Sequence, residues 1–139
     1  MEQSFQIDLL IAAAFTAREQ AYCPYSNFAV GAALLGKSGQ IYPGCNVENA
    51  AFSPSICAER TAVASAVVAG EREFVMLAIV GGDKDNKEGE LGYSYPCGVC
   101  RQVLHEFCAE DFPVIVAASA DDYQILTLGE LLPHAFSTY

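Results

Sequence analysis

No apolar run in the 139 residues approaches the ~20 needed to cross a bilayer, so no membrane-spanning helix is expected. Leu9 to Phe15 is apolar, but Glu2 and Asp8 precede it where a secretory signal would carry a basic cluster, and a cytoplasmic chain is expected. Basic residues are scarce. Seven Lys and Arg stand against seventeen Asp and Glu, for a net charge of −10. The seven (Arg18, Lys37, Arg60, Arg72, Lys84, Lys87 and Arg101) are scattered, whereas binding a phosphate backbone needs them clustered. Nucleic acid is therefore not expected as a partner. Internal repeats, low-complexity tracts and Pro- or Ser-rich linkers are missing too. With a length inside the common range of roughly 100–150 residues for one domain, this predicts a single domain over 1–139. At 53% hydrophobic and 17% charged residues, the chain is not a disordered one.

Ser4 stands where it could cap a first helix, with Ile7, Leu10, Ile11, Ala14, Phe15 and Arg18 at helical spacing and an end expected near Cys23-Pro24. Phe28 to Leu35 and Gln40 to Cys45, joined by Gly36-Lys37-Ser38-Gly39, read as a β-hairpin. A second helix is expected from about Ser55 to Ala69, ended by Gly70. The apolar run Phe74 to Val80 reads as a strand covered on both faces, followed by a long polar loop from Gly81 to Tyr95. Pro96 should open a third helix reaching roughly Cys108. Val114 to Ala118 reads as a buried strand, Gln124 to Leu126 as a short one and Gly129 to Leu132 as a short last helix. A sheet covered by helices, with a hairpin at one side, is the simplest packing of this order.

Six cysteines in a chain without a secretory signal are better read as thiols or metal ligands than as disulfides. Cys97-Gly98-Val99-Cys100 alone is ambiguous between a redox pair and half a zinc site. The pair sits late in the chain, outside an early βαβ unit, and Cys57 in Cys57-Ala58-Glu59-Arg60 offers a third thiolate at another predicted helix start. Three protein ligands leave a zinc position open for water, as in catalytic sites. Three thiolates outweigh the metal charge by one unit, which helix N-termini and Arg60 or Arg101 can offset. Glu59 completes the set as a candidate proton carrier. Residues two apart in a regular helix lie about 200° apart, so Cys57 and Glu59 can share a site only if Cys57 sits in an irregular first turn. Cys23, Cys45 and Cys108 lack matching spacing and read as buried free thiols. His105 lies about 140° round the helix from Cys100 and is not expected as a ligand, nor is His134. The acidic stretch 83–88 lacks the features of a calcium loop.

Cys57-Ala58-Glu59 followed by Pro96-Cys97-x-x-Cys100 resembles the zinc-dependent cytidine deaminase family. Further blocks extend the likeness over about residues 22–136: Tyr25-Ser26-x-Phe28-x-Val30-Gly31-Ala32, Asn46-x-Glu48-Asn49 and Leu131-Leu132-Pro133-x-x-Phe136. The chain is similar to the short, free-nucleoside class, typically homotetrameric. The resemblance implies a three-layer αβα sandwich around a mixed, mostly five-stranded sheet. It also implies one zinc per chain on Cys57, Cys97 and Cys100; on charge grounds Arg60 is expected to balance the thiolates. The implied reaction converts cytidine or deoxycytidine to uridine or deoxyuridine and ammonia, by hydroxide attack at C4 of the ring. Glu59 would take the water's proton, deliver it to N3 and later help ammonia leave. Asn46 and Glu48 would hold the ribose hydroxyls, Phe28 would pack on the base and Ala58 would give it a backbone contact. Phe136 would reach the active site of a neighbouring subunit. Phe52 stands where the family commonly has tyrosine, which puts one intersubunit hydrogen bond in doubt. Two other readings stay open: a deaminase of another cytosine compound, such as a nucleoside antibiotic, and a zinc-stabilised scaffold without activity.

Overall fold

The computed structural model describes residues 2–138. Their order is α1 (Glu2–Arg18), β1 (Phe28–Gly36), β2 (Ile41–Cys45), α2 (Ala58–Val68), β3 (Phe74–Asp83), α3 (Gly98–Phe107), β4 (Pro113–Ala117), β5 (Tyr123–Thr127) and α4 (Leu128–Leu131). One mixed sheet runs β2-β1-β3-β4-β5, with β3 and β4 parallel and the other neighbours antiparallel. The β1–β2 hairpin lies at one edge. Alternation along the strands divides the core into two layers. Ala32, Leu34, Leu77, Ile79, Val114 and Val116 face α2, α3 and α4, while Ala33, Leu35, Met76, Ala78, Val80 and Ile115 face α1. This is the expected αβα arrangement.

Glycines set how closely the helices approach. A Cβ on Gly31 would come within 1.9 Å of the Ala14 carbonyl in α1, and one on Gly44 within 2.2 Å of the Ala58 carbonyl in α2. The sheet carries a bare backbone where each helix crosses it. α2 ends in a Schellman arrangement. Gly70 takes φ +92°, its N–H donates to the Val67 carbonyl (3.0 Å), and the Glu71 N–H donates to Ala66 (2.9 Å).

Several boundaries differ from the sequence expectation. Ser4 lies inside α1, not at its cap, and α1 stops at Arg18 instead of running to Cys23. The Arg18 side chain, at the last residue of α1, donates to the carbonyls of Ala29 (2.9 Å), Asn86 (3.1 Å), Gly82 (3.1 Å) and Asp83 (2.6 Å), tying the end of α1 to the start of β1 and the end of β3. β3 continues past Val80 to Asp83 because Phe28, Ala29 and Val30 pair with Asp83, Gly82 and Gly81. α2 starts at Ala58, three residues later than expected, because Ile56 is held in an extended bridge to Val47. α3 likewise starts at Gly98 and not at Pro96.

Candidate metal centre and nucleoside cavity

The two helix starts that carry cysteines meet at one end of the sheet. Cys57 is the N-cap of α2 (φ −79°, ψ 158°) and Cys97 the N-cap of α3 (φ −68°, ψ 167°), and neither end has a side-chain cap. Both thiols therefore leave the chain from extended backbone, before the helical period begins. Cys57 and Glu59 can thus face the same space despite their spacing of two, and the free first-turn amides of each helix favour a thiolate. Cys100 sits one turn into α3 and is fully buried.

Sγ of Cys97 lies 3.7 Å from Cys57 and 3.5 Å from Cys100, and all three sulfurs lie within 4.8 Å of one another. Ligand sulfurs on a tetrahedral zinc with bonds of ~2.3 Å stand about 3.8 Å apart, so the spacing fits the ion. Charge fits it as well. Hydrogen bonding from Cys100 and from Arg60 brings Cys57 down to about 5, whereas the bond to Cys57 and burial push Cys100 far up. A divalent cation among the sulfurs would offset the negative charge that burial and the neighbouring thiol disfavour at Cys100. Among the described residues this is the one group of three His, Cys, Asp or Glu side chains close enough to share a metal.

Arg60 Nη2 lies 3.6 Å from Cys57 Sγ. Arg101 is committed elsewhere, donating to the carbonyls of Pro96 (2.7 Å) and Leu131 (2.5 Å), where it ties the start of α3 to α4. Of the two arginines the sequence offered, Arg60 is the one at the thiols. Glu59 is 4% exposed. Burial pushes its carboxyl up to about 7, with the Cys57 charge adding to the rise and its own backbone amide opposing it. A group poised near neutrality beside an open metal position suits proton transfer.

A half-open cavity of about 680 Å³ leads to this centre. Its walls include Phe28, Asn46, Glu48, Phe52, Ala58 and Glu59, together with Cys57, Cys97 and Arg60. A small ladder brings its parts together. Tyr22 bridges Val47, and Val47 bridges Ile56, the residue before the first thiol. Asn46 is buried, and its amide is half used: Oδ1 accepts from the Val30 N–H (2.9 Å) and Nδ2 donates to the Phe28 carbonyl (2.8 Å). One N–H and one lone pair remain. Glu48 Oε1 accepts from the backbone N–H groups of Tyr25 (3.0 Å) and Ser26 (3.1 Å), and Oε2 accepts from the Ser26 hydroxyl. Those bonds, the hydroxyl foremost, hold its carboxyl below the usual value. The loop reaches this shape through Asn27 at φ 59°, a left-handed conformation that asparagine tolerates.

Phe136 does not line the cavity of its own chain. It is 68% exposed, and its carbonyl accepts from Gln102 Nε2 (3.1 Å). His105 contacts the Ser137 hydroxyl (3.2 Å) and stands apart from the thiols, as does His134 at φ 54°. Of the remaining cysteines, all free thiols as expected, Cys23 is buried, while Cys45 and Cys108 are only half-buried. Burial pushes the Cys108 thiol up to about 12. Sequence reasoning gave no part to Ser26 or Tyr95 in the cavity wall, nor to the Arg18 clamp. Ser26 meets Glu48 across 22 residues, Tyr95 meets Gln124 across 29 and Arg18 reaches across up to 68, so no helix or strand period signals these contacts.

Three thiols, a buried carboxyl and a small-molecule cavity at two helix starts define a zinc hydrolase with an open metal position. The profile described as "Cytidine and deoxycytidylate deaminase zinc-binding region" matches residues 5–116. A cytidine deaminase of Sporosarcina psychrophila is 50% identical over 131 residues, 94% of this chain and 91% of that one. A second, from Halalkalibacterium halodurans, is 45% identical over 93% of this chain and 92% of its own. Among solved structures, a cytidine deaminase from Burkholderia pseudomallei superposes with a TM-score of 0.82 at 45% identity, covering 92% of this chain and 97% of that one. One from Mycobacterium tuberculosis gives 0.78 at 37% identity, covering 94% and 96%. The chain belongs to the zinc-binding cytidine deaminase family, and Cys57, Cys97 and Cys100 are its zinc-binding cluster.

Proposed function

We propose that the chain catalyses the hydrolytic deamination of free cytidine and deoxycytidine, converting each with one water to uridine or deoxyuridine and ammonia. The observation that carries this reading is Glu59: a buried carboxyl with a value near 7, on the cavity wall beside three metal-spaced thiols. Cys57, Cys97 and Cys100 would hold a zinc ion, whose Lewis acidity would make a water nucleophilic near neutrality. Glu59 would accept one proton from that water and deliver it to N3 of the base; it would then take the proton of the new C4 hydroxyl and pass it to the amino group, so that the C4–N bond breaks, ammonia leaves and the C4 carbonyl forms. Ala58, the first residue of α2, offers its backbone to the base, and Phe28 covers the ring. Asn46 with its spare N–H and Glu48 with its spare lone pair take sugar hydroxyls. Arg60 offsets the excess thiolate charge.

The lining favours a nucleoside over a nucleotide. Glu48 and Glu59 are acidic, and Arg60, the cation among the lining residues, is turned to Cys57. Among the described residues, no basic group is left in the wall to seat a phosphate. A zinc scaffold without activity has no use for a buried carboxyl beside the thiols. We read residues 1–139 as a single domain on the strength of the one continuous sheet, and the free thiols fit a cytoplasmic setting. No helix among the described residues is long and apolar enough to cross a membrane. Phe52, 93% exposed at the cavity edge, and the exposed Phe136 support a homotetramer in which aromatic rings complete a neighbour's site.

Ammonia release from cytidine, cytidine monophosphate and a cytosine-containing oligonucleotide tests the reading at known zinc content. Rapid conversion of cytidine, with the phosphorylated substrates far slower, is expected. Preference for either phosphorylated substrate overturns the nucleoside assignment, and size measurement in solution checks the tetramer.

A further inference from the structure

One residue on the cavity wall joins two parts of the site that otherwise have separate supports. The Ser26 hydroxyl donates to Glu48 Oε2, and the same oxygen accepts from the Phe28 N–H at 3.0 Å. A hydroxyl has a single proton, so once the Phe28 amide occupies the acceptor side, that proton is directed at the carboxylate. Glu48 Oε1 is filled by two backbone donors, at 3.0 and 3.1 Å. An ionised carboxylate only accepts, which leaves one open acceptor position on Oε2, oriented by Ser26. The loop has little freedom to lose this arrangement. The Asn27 N–H donates to the Cys23 carbonyl (2.9 Å), its carbonyl accepts from the Lys84 N–H (2.7 Å), and the Glu48 N–H donates to the Tyr22 carbonyl (2.8 Å). Beyond Ser26 the chain of bonds continues from the Phe28 carbonyl to Asn46 Nδ2, and from Asn46 Oδ1 to the Val30 N–H.

We propose that Ser26 is a positioning residue for sugar recognition, fixing the open acceptor position of Glu48 in a constant relation to the backbone that carries the Phe28 ring. The proposal rests on the reading of Glu48 as a sugar contact. Without the hydroxyl, Oε2 loses its one donor among the described residues and is solvated by water, which a sugar hydroxyl must then displace. The loss falls on substrates whose sugar offers a hydroxyl to Glu48, and not on those that lack one. A general loosening of the loop would weaken both alike.

The test compares kcat/KM for cytidine with that for 2′,3′-dideoxycytidine in the wild-type protein, Ser26→Ala and Ser26→Thr. The expected result is a cytidine-to-dideoxycytidine ratio that falls roughly ten-fold in Ser26→Ala, near the low end of what a hydrogen bond to a charged group contributes. Ser26→Thr, which keeps the hydroxyl, should recover most of that ratio. Should the alanine variant fail to fold, Ser26→Thr against Ser26→Val makes the same comparison between side chains of one shape. A ratio unchanged in Ser26→Ala overturns the role of Ser26 while leaving Glu48 as a sugar contact. A wild-type protein that treats the two substrates alike removes the sugar role of Glu48, and the proposal with it.

Discussion

Replacing Glu59 by glutamine separates proton transfer from everything else the residue does. The amide has nearly the shape of the carboxyl, so a side chain that is 4% exposed is exchanged without opening a cavity. It cannot carry a proton. One positioned acid or base contributes roughly 10²–10⁴-fold, and here one group serves the water, N3 and the leaving amine, so kcat for cytidine should fall by about 10⁴-fold. The assay is the absorbance change of cytidine conversion on protein whose zinc has been measured at about one per chain. Turnover within ten-fold of wild type at full zinc would remove Glu59 from the mechanism. The zinc-stripped proteins give an independent reading. Burial holds the folded carboxyl at about 7 against an ordinary 4.5, so its contribution to stability is intact below pH ~4.5 and lost as pH rises through about 7. At ~1.36 kcal/mol per pH unit, wild type should lose up to about 3 kcal/mol relative to Glu59→Gln between pH 4 and pH 8. Urea melts at both pH values that run parallel for the two proteins would refute the buried, neutral carboxyl.

Cys97→Ala should purify without stoichiometric zinc and without activity, and a metal-replete variant would contradict the ligand assignment. Arg60→Gln removes the cation 3.6 Å from Cys57 Sγ and should weaken zinc binding roughly 10–100-fold, read by competition with a chromophoric chelator. Gly44→Ala puts a methyl 2.2 Å from the Ala58 carbonyl and 2.6 Å from the Ala62 nitrogen. α2 must retreat, at about 2–3 kcal/mol, taking Cys57 and Glu59 with it. Calorimetry should show a lower Tm and the cytidine assay a lower kcat.

The hairpin, α3 and the buried strands were legible in the sequence because continuous apolar runs, Pro96 and the glycine turn are local signals. The starts of α1 and α2 were not. Ser4 and Ser55 both satisfy a local capping rule, yet α1 already includes Ser4, and Ser55 instead uses its hydroxyl to accept from the Asn49 N–H (3.1 Å). The three thiols were legible as a set from their chemistry. Asn46 and Glu48 were visible only through family likeness, since in isolation Asn-x-Glu after a strand describes an ordinary turn. Ser26 entered only as part of the Tyr25-Ser26-x-Phe28 likeness, its bond to Glu48 spanning 22 residues, and Arg18 acts through bonds spanning up to 68, which no local pattern announces.

The N-cap placement of Cys57 and Cys97 also orders events in time. The two thiols are forty residues apart and belong to different crossovers of the sheet. In the unfolded chain, only Cys97 and Cys100 form a local chelate. Bringing Cys57 to them means closing a long loop, and the docking of β3 between β1 and β4 already does this in the native fold. Zinc is then expected to bind as a ligand of a formed fold and to stabilise it by mass action. Chelating the metal should leave the secondary structure in place by circular dichroism, and returning the ion should restore activity without a refolding step. Loss of the fold on chelation would refute this order of events.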